Sequence, residues 1–393
     1  MSALSPRWVV VKPLRSTDGP TPSCSPGPET IWHGPRDRHF TADEHGRVLE
    51  LVEVAPAEGR AGEPGFRPCH AEVRAVAFTK GRTLGGVWAA GAGAKGKGGG
   101  HYLADAALGL VRVDGGGGGD APHPELHVLS NHVNDPHSKD IGTPVFFADG
   151  LDEAQVGAQA GTVFFTDASY LEPWRDPRTG LVEVMLPAML EFLTGWHTGR
   201  LLSYSPRDRL TKVEAKGFWF PNGVAVAKDG ASVLFAETFG ARVWRHHLAG
   251  PQAGQTEVAA DGLPGCPDGI SLAADGGFWV TLADDCGVVA ALAPWRFLRY
   301  LALLLPPSLL PQSKPHGAVV KLSAAGEVEA AFHGSALGGI TSATEHGGRL
   351  WLGTLGKTFG VLDLAAAMQA FRDLEQRVAA AAEAEAPPEK ADL

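Results

Sequence analysis

At 393 residues the chain is long enough to bury a large core, and its 34 Lys and Arg against 44 Asp and Glu give a formal charge of −10. That balance argues against nucleic acid as a partner, and no run of roughly eighteen apolar residues exists to cross a bilayer. With 51 glycines, 29 prolines and 20% charged residues, the composition fits a turn-dense all-β protein.

In chain order, the opening MSALSPRWVVVKPLRS lacks the long apolar core of a secretory signal, because Lys12, Pro13 and Arg15 interrupt its short valine run. Residues 1–26 are rich in Pro and Ser and predict an arm lying outside the folded domain. From residue 27 a pattern recurs: a short apolar strand, a turn carrying Gly, then a strand with aromatic residues. Copies stand at 27–51, 73–104 (weak), 147–168, 217–244, 266–282 and 337–355. The clearest, 217–244, predicts strands over 222–227, 232–237 and 241–246. Lys228-Asp229-Gly230 supplies the first turn, where glycine tolerates a positive φ. Six such units over residues 27–363 predict one closed six-bladed β-propeller.

The pattern places blade 2 from Val73, blade 3 over 127–168, and 199–205 (GRLLSYS) as an outer strand leading into blade 4. Blade 5 is expected from Pro264 and blade 6 over 316–362. Gly-rich runs at 91–100 and 115–119 predict flexible insertions rather than phosphate cradles, since neither precedes a helix and no GK[ST] follows. Residues 182–193 (VEVMLPAMLEFL) predict a short helical excursion around Pro187. The tail, 364–393, opens as an Ala/Glu/Arg-rich surface helix and ends past Pro387 and Pro388.

The most apolar segment runs from Trp295 to Leu310 (WRFLRYLALLLPPSLL). It predicts a helix that packs over the propeller or, in a second reading, dips into a membrane surface. Four cysteines (Cys24, Cys69, Cys266, Cys286) show no metal-binding spacing and are expected to be buried or incidental thiols. An oxidising compartment leaves a Cys24–Cys69 bridge open. His33, His316 and His346 fall near predicted strand ends and are expected to be solvated or hydrogen-bonded.

The segments GPETI (27–31), FADGLD (147–152), GTVFFTDAS (161–169), GRLLSYSP (199–206), FPNGVAVAKDG (220–230), LPGCPDGI (263–270) and GGRLWLGTL (347–355), in that order, resemble the strictosidine synthase-like family. That family is similar in fold to the paraoxonases and gluconolactonases. In a propeller the inner strands meet the central channel, which puts Glu29, Asp149, Asn222 and Asp268 at matching positions. Three carboxylates and one amide oxygen form a hard-oxygen set that suits calcium. The resemblance implies a divalent metal held by Glu29, Asn222 and Asp268, with Asp149 beside the usual ligand position, which Ala148 occupies. The bland alternative is that Asp and Asn precede Gly simply as turn formers.

The resemblance to strictosidine synthase implies a catalytic glutamate in the last blade, where this chain has Thr341. Threonine cannot shuttle an amine's proton at neutral pH, so amine–aldehyde condensation is disfavoured. Arg74 is expected where blade 2 approaches the channel. Pointing inward, it would pair with Asp149 or Glu29 and remove the need for a metal. Arg74 and Thr341 are the substrate-binding candidates. The reading is a hydrolase of small esters or lactones with a calcium-type ion and Asp268 as general base. The alternatives are a condensing synthase or lyase, and a non-catalytic binding propeller at an endomembrane surface.

Overall fold

The computed structural model describes residues 29–56, 67–89, 99–114, 124–306, 309, 315–333, 337–355 and 359–385. Their strands form six antiparallel blades around a central channel, the six-bladed propeller predicted by the repeat. Blade 1 consists of β1 (Ile31–Gly34), β2 (Arg38–Ala42), β3 (Arg47–Pro56) and β4 (Arg67–Phe78). Blade 2 consists of β5 (Thr83–Ala89), β6 (Gly100–Asp105), β7 (Gly109–Asp114) and β8 (Glu125–Ser130). Blade 3 opens with β9 (Ala148–Glu153) and β10 (Val163–Asp167). It then leaves through the ribbon of β11 (Trp174–Arg175) and β12 (Val182–Glu183) and helix α1 (Met185–Thr194). It closes with β13 (Gly199–Ser205) and β14 (Leu210–Phe218).

Blade 4 is β15 (Pro221–Val226), β16 (Ser232–Glu237), β17 (Arg242–His247) and β18 (Thr256–Ala260). Blade 5 starts with β19 (Cys266–Leu272) and β20 (Phe278–Asp284) and passes through α2 (Gly287–Leu292) and α3 (Arg296–Ala302). It ends with β21 (Pro315–Leu322) and β22 (Val328–His333). Blade 6 has β23 (Ile340–His346), β24 (Arg349–Thr354) and β25 (Gly360–Asp363). Its outer edge is taken by the start of β4, through Gly360–Pro68 and Val361–Arg67 pairs, so one strand joins the first and last blades. Helix α4 (Leu364–Glu385) follows and buries Phe371 beside Phe332 of blade 5.

The strand pattern was read correctly and its grouping was not. Residues 73–78 belong to β4, the outer strand of blade 1, so blade 2 begins at Thr83. Strand β8 closes blade 2 rather than opening blade 3, and 199–205 is the third strand of blade 3. Strands β21 and β22 complete blade 5, and blade 6 begins only at Ile340. In each case an insertion between strands of one blade hides the count of four. The helical excursion around Pro187 is α1, with proline at its third residue, where the missing N–H has no helical partner to lose. Glu183 caps its start by accepting from the Met185 and Leu186 amides at 2.8 and 3.0 Å. The N-terminal arm, the Gly run 115–119 and Cys24 lie outside the described residues.

Each blade is sandwiched between two others, so its inner strands are buried on both faces and read as continuous apolar runs, such as Val233-Leu234-Phe235-Ala236. Contacts between blades are correspondingly apolar. Phe40 and Val48 of blade 1 pack with Leu103 and Val111 of blade 2, and Tyr102 of blade 2 packs with Phe165 and Leu202 of blade 3. One fully buried charge pair stands among them. Arg200 on β13 and Asp167 on β10 both have fully buried side chains, and Arg200 Nε donates to Asp167 at 3.0 Å. The guanidinium also donates to Thr143 Oγ1 at 2.8 Å and the Pro144 carbonyl at 2.6 Å. Asp167 accepts from the Phe146 and Phe147 amides at 3.1 and 2.8 Å. The TDAS and GRLL segments therefore carry a structural ion pair that fastens the loop before β9.

Closest to the axis, the inner strands touch backbone to backbone. A Cβ built on Gly150 would stand within 3.0 Å of Asn222 and Gly223. On Gly223 it would meet Asp268, Gly269 and Ile270, and on Gly269 it would meet the Thr341 carbonyl. Only glycine permits that approach. The pairing of β15 with β16 and of β19 with β20 breaks register at these positions. The amides of Gly150 and Gly269 instead donate to Thr166 and Thr281 hydroxyls at 3.0 and 2.8 Å.

Two substitutions test this packing by chemical denaturation. Arg200→Ala strands Asp167 as a buried charge and should cost about 3–5 kcal/mol. Gly223→Ala forces a methyl into the backbone of blade 5 and should cost about 1–3 kcal/mol, as overpacking does.

Candidate functional site

The residue before each of these glycines reaches the axis. Asp149 is the second residue of β9, Asn222 the second of β15 and Asp268 the third of β19; Glu29 sits two residues ahead of β1. The Asp-Gly and Asn-Gly pairs are thus strand positions at register breaks, not turns. Glu29, Asp149, Asn222, Asp268 and Thr341 all line one channel cavity of about 870 Å³. Its apolar walls include Leu84, Phe147, Val184, Phe220 and Phe239. The structure therefore brings the four predicted oxygen donors, and Thr341, to the same cavity.

Electrostatics single out this wall. Glu29, Asp149 and Asn222 are buried, and Asp268 is half-buried against the channel. Burial, reinforced by the charge of Glu29, pushes the Asp149 carboxyl up to about 8, although Arg82 works the other way. Burial also raises Asp268 well above the usual carboxylate range, with further repulsion from Asp149, Glu29 and Asp284. A hydrogen bond from Asn222 partly offsets it. These carboxyls hold more negative charge than their surroundings neutralise, and a proton or a cation relieves it. As hard-oxygen donors, Asp149, Asn222 and Asp268 suit a calcium-type ion, and Glu29 is already shared with a guanidinium.

That guanidinium belongs to Arg82, not Arg74. Arg82 precedes β5 by one residue and forms an ion pair with Glu29, both side chains being largely buried. Arg74 lies on β4, the outer strand of blade 1, and pairs with Glu50, so it does not reach the channel. Arg74 therefore belongs to an outer strand, eight residues before Arg82 at the head of the second blade's inner strand. The signal available was Arg82-Thr83 at the head of an apolar strand, matching Glu29-Thr30 ahead of β1.

Thr341 lines the channel as expected, and its hydroxyl donates to the Glu29 carbonyl at 2.6 Å, stitching blade 6 to blade 1. Glu345, farther along the same strand, accepts from the Trp279 indole at 2.9 Å and the Ala274 amide at 3.1 Å. Two of the four cysteines are not thiols. Cys266 and Cys286 form a disulfide, with Cα atoms 5.0 Å apart and a separation of 20 residues. Spacing gave no hint of this pair, because the bridge spans a strand pair and the start of α2. With Asp284 they make a compact trio of potential ligand atoms, but the sulfurs are bound to each other and not available to a metal. The bridge instead ties the α2–α3 insertion to β19, two residues from Asp268.

Comparisons with known proteins agree with this architecture. The strictosidine synthase family model matches residues 152–251. Strictosidine synthase-like protein 13 of Arabidopsis thaliana is 36% identical over 53% of this chain and 45% of its own length. Strictosidine synthase-like protein 10 of the same plant is 32% identical over 67% and 66%. The chain thus spans between about half and just under two thirds of these plant relatives. Adipocyte plasma membrane-associated protein of Salmo salar is 27% identical over 84% of this chain and 73% of its own. Among solved structures, a gluconolactonase from Xanthomonas campestris superposes with a TM-score of 0.56 at 15% identity, covering 87% of each chain, which shows the shared fold. With its ordered motifs, its six blades and these relatives together, the chain belongs to the strictosidine synthase-like family.

Proposed function

We propose that this propeller hydrolyses small esters or lactones, with a calcium-type cation held by Asp149, Asn222 and Asp268 beside the Glu29–Arg82 ion pair. The supporting observation is the set of three carboxylates and one amide from four blades around one cavity, with Arg82 paired to Glu29 among them. Such an ion polarises a carbonyl or lowers the pKa of a bound water. Asp268, raised by burial and like charge, is suited to take the proton from the attacking water. Leu84, Phe147, Phe220 and Phe239 supply an apolar wall for the rest of the substrate. Condensation of an amine with an aldehyde lacks a base at Thr341, whose hydroxyl is committed to the Glu29 carbonyl.

A second reading, a binding propeller at a membrane surface, rests on the insertion of blade 5. Trp295, Phe297, Leu304 and Leu309 are 61%, 76%, 79% and 66% exposed, and Trp196 after α1 is 57% exposed. Helices α1 and α3 touch, and Met185 of α1 is both exposed and part of the cavity wall, so this apolar surface borders the channel. An apolar patch of this kind marks an interaction surface, and its Trp, Tyr and Arg content suits a lipid headgroup region. No helix among the described residues is long and apolar enough to cross a membrane.

Elemental analysis coupled to a panel of aryl esters and lactones tests the hydrolase. We expect one equivalent of bound calcium, turnover lost on chelation, and a fall in kcat of about 10²–10⁴-fold for Asp268→Asn. A metal-free protein that turns over none of the panel overturns that reading in favour of a binding module. Flotation with anionic liposomes tests the surface. Phe297→Ser combined with Leu304→Ser should abolish flotation, and flotation that persists removes the membrane role.

A further inference from the structure

Two residues before each axial group, a second tier of positions also lines the cavity: Phe147 before Asp149, Phe220 before Asn222, Cys266 before Asp268 and Gly339 before Thr341. The tier is lopsided. Gly339 has no side chain, and the sulfur of Cys266 is held in the bridge to Cys286. Of these four positions, aromatic bulk stands only at the heads of blades 3 and 4, beside Asp149 and Asn222.

Phe220 is held there under backbone strain. Its φ is 63°, in the left-handed region where a Cβ crowds the backbone and a bulky residue is an outlier. Pro221, which follows, biases the position further toward extended backbone. Glycine would make the same turn without that penalty. The turn is fixed from outside: the Phe220 carbonyl accepts from the Thr238 amide at 3.1 Å, and the Trp219 amide donates to Glu237 at 2.7 Å. Those bonds explain how the conformation is kept, and the ring explains why its residue is a phenylalanine. It is 6% exposed, meets Phe147 edge to face with centroids 5.3 Å apart and planes at 86°, and tilts against Phe239 at 5.2 Å. Val182 and Val184, just ahead of α1, belong to the same buried cluster. Strain of this kind gathers at ligand clamps, where the side chain it aims has a task.

We propose, resting on the hydrolase reading, that Phe220 determines specificity: with Phe147 and Phe239 it forms a slot for one flat, ring-sized apolar group of the substrate, beside Asp149 and Asn222. A flat aromatic group gains from edge-to-face or offset contact with these rings beyond the area it buries, and a puckered aliphatic ring of the same size does not. The fixed turn and the packing behind the Phe220 ring hold it in one orientation, so the slot is formed before the substrate arrives. Phe220 touches the substrate's apolar end, and the reacting carbonyl is left to the axial groups.

Benzyl alcohol and cyclohexylmethanol, neutral probes with no bond to hydrolyse, test the slot separately from turnover when titrated into the full chain by ligand-observed NMR. The ratio of their affinities, phenyl over cyclohexyl, should fall about 2–10-fold in Phe220→Leu, which keeps an apolar side chain at the strained position and removes the ring. Thermal melts of Phe220→Gly and Phe220→Ala test the strain. The glycine variant should melt higher, the reverse of the usual order. If those two variants fail to fold, Phe220→Leu carries the test alone. A native ratio retained in Phe220→Leu, a glycine variant that melts below the alanine one, or native protein that binds neither probe overturns the assignment. Absence of ester turnover alongside the expected ratios overturns the hydrolase reading and leaves the slot standing.

Discussion

Around the axis, the inner strands of blades 2 to 6 lie as near one another as backbone atoms allow. Gly150, Gly223 and Gly269 stand where any side chain would strike the next blade. The approach breaks the ladder register, and threonines on the second strands collect the amides set free. The same break turns the preceding residue of each pair toward the centre. Position on the axis is thus a by-product of close packing, and what stands there is chosen by the sequence: Asp149, Asn222 and Asp268.

That choice gives the channel its character. A closed ring holds its axial groups out of bulk water, so each carboxylate feels its neighbours at low dielectric. Arg82 engages Glu29, and Asp149 and Asp268 are left raised. Farther out, Asp167 meets Arg200 in full burial with every polar atom of the carboxylate engaged, and there the pair acts as a fastener. Asp167 thus has its charge answered away from the cavity, whereas Asp149 and Asp268 face the cavity without a cationic partner of their own.

Much of this was legible beforehand. The alternation of apolar strands with glycine turns gave the propeller, because each blade must bury both faces and turn tightly. Glu29, Asp149, Asn222 and Asp268 could be found because the repeat places them at equal positions. The failures share a cause in distance along the chain. Arg74 resembles an axial residue in sequence because the end of β4, an outer strand, carries an inner strand's apolar content. The Cys266–Cys286 bridge joins elements that no local pattern connects, whereas His33 and His346 are hydrogen-bonded near strand ends as expected. Thr341 was read as a missing base, and the structure adds that its hydroxyl holds the first blade's backbone.

The seam between blades 1 and 6 has a consequence for how the chain is made. Ser342 accepts the Ile31 amide at 3.2 Å across 311 residues, and Thr341 and Thr344 donate to blade 1 carbonyls across 312 and 313. On the ribosome, the first blade emerges with a bare edge and waits for the five blades that follow before its partner exists. Strand β4 shields the outside of that blade early, yet its own far end stays unpaired until β25 is synthesised. Nascent molecules therefore stay exposed to mispairing with one another until the last blade is made.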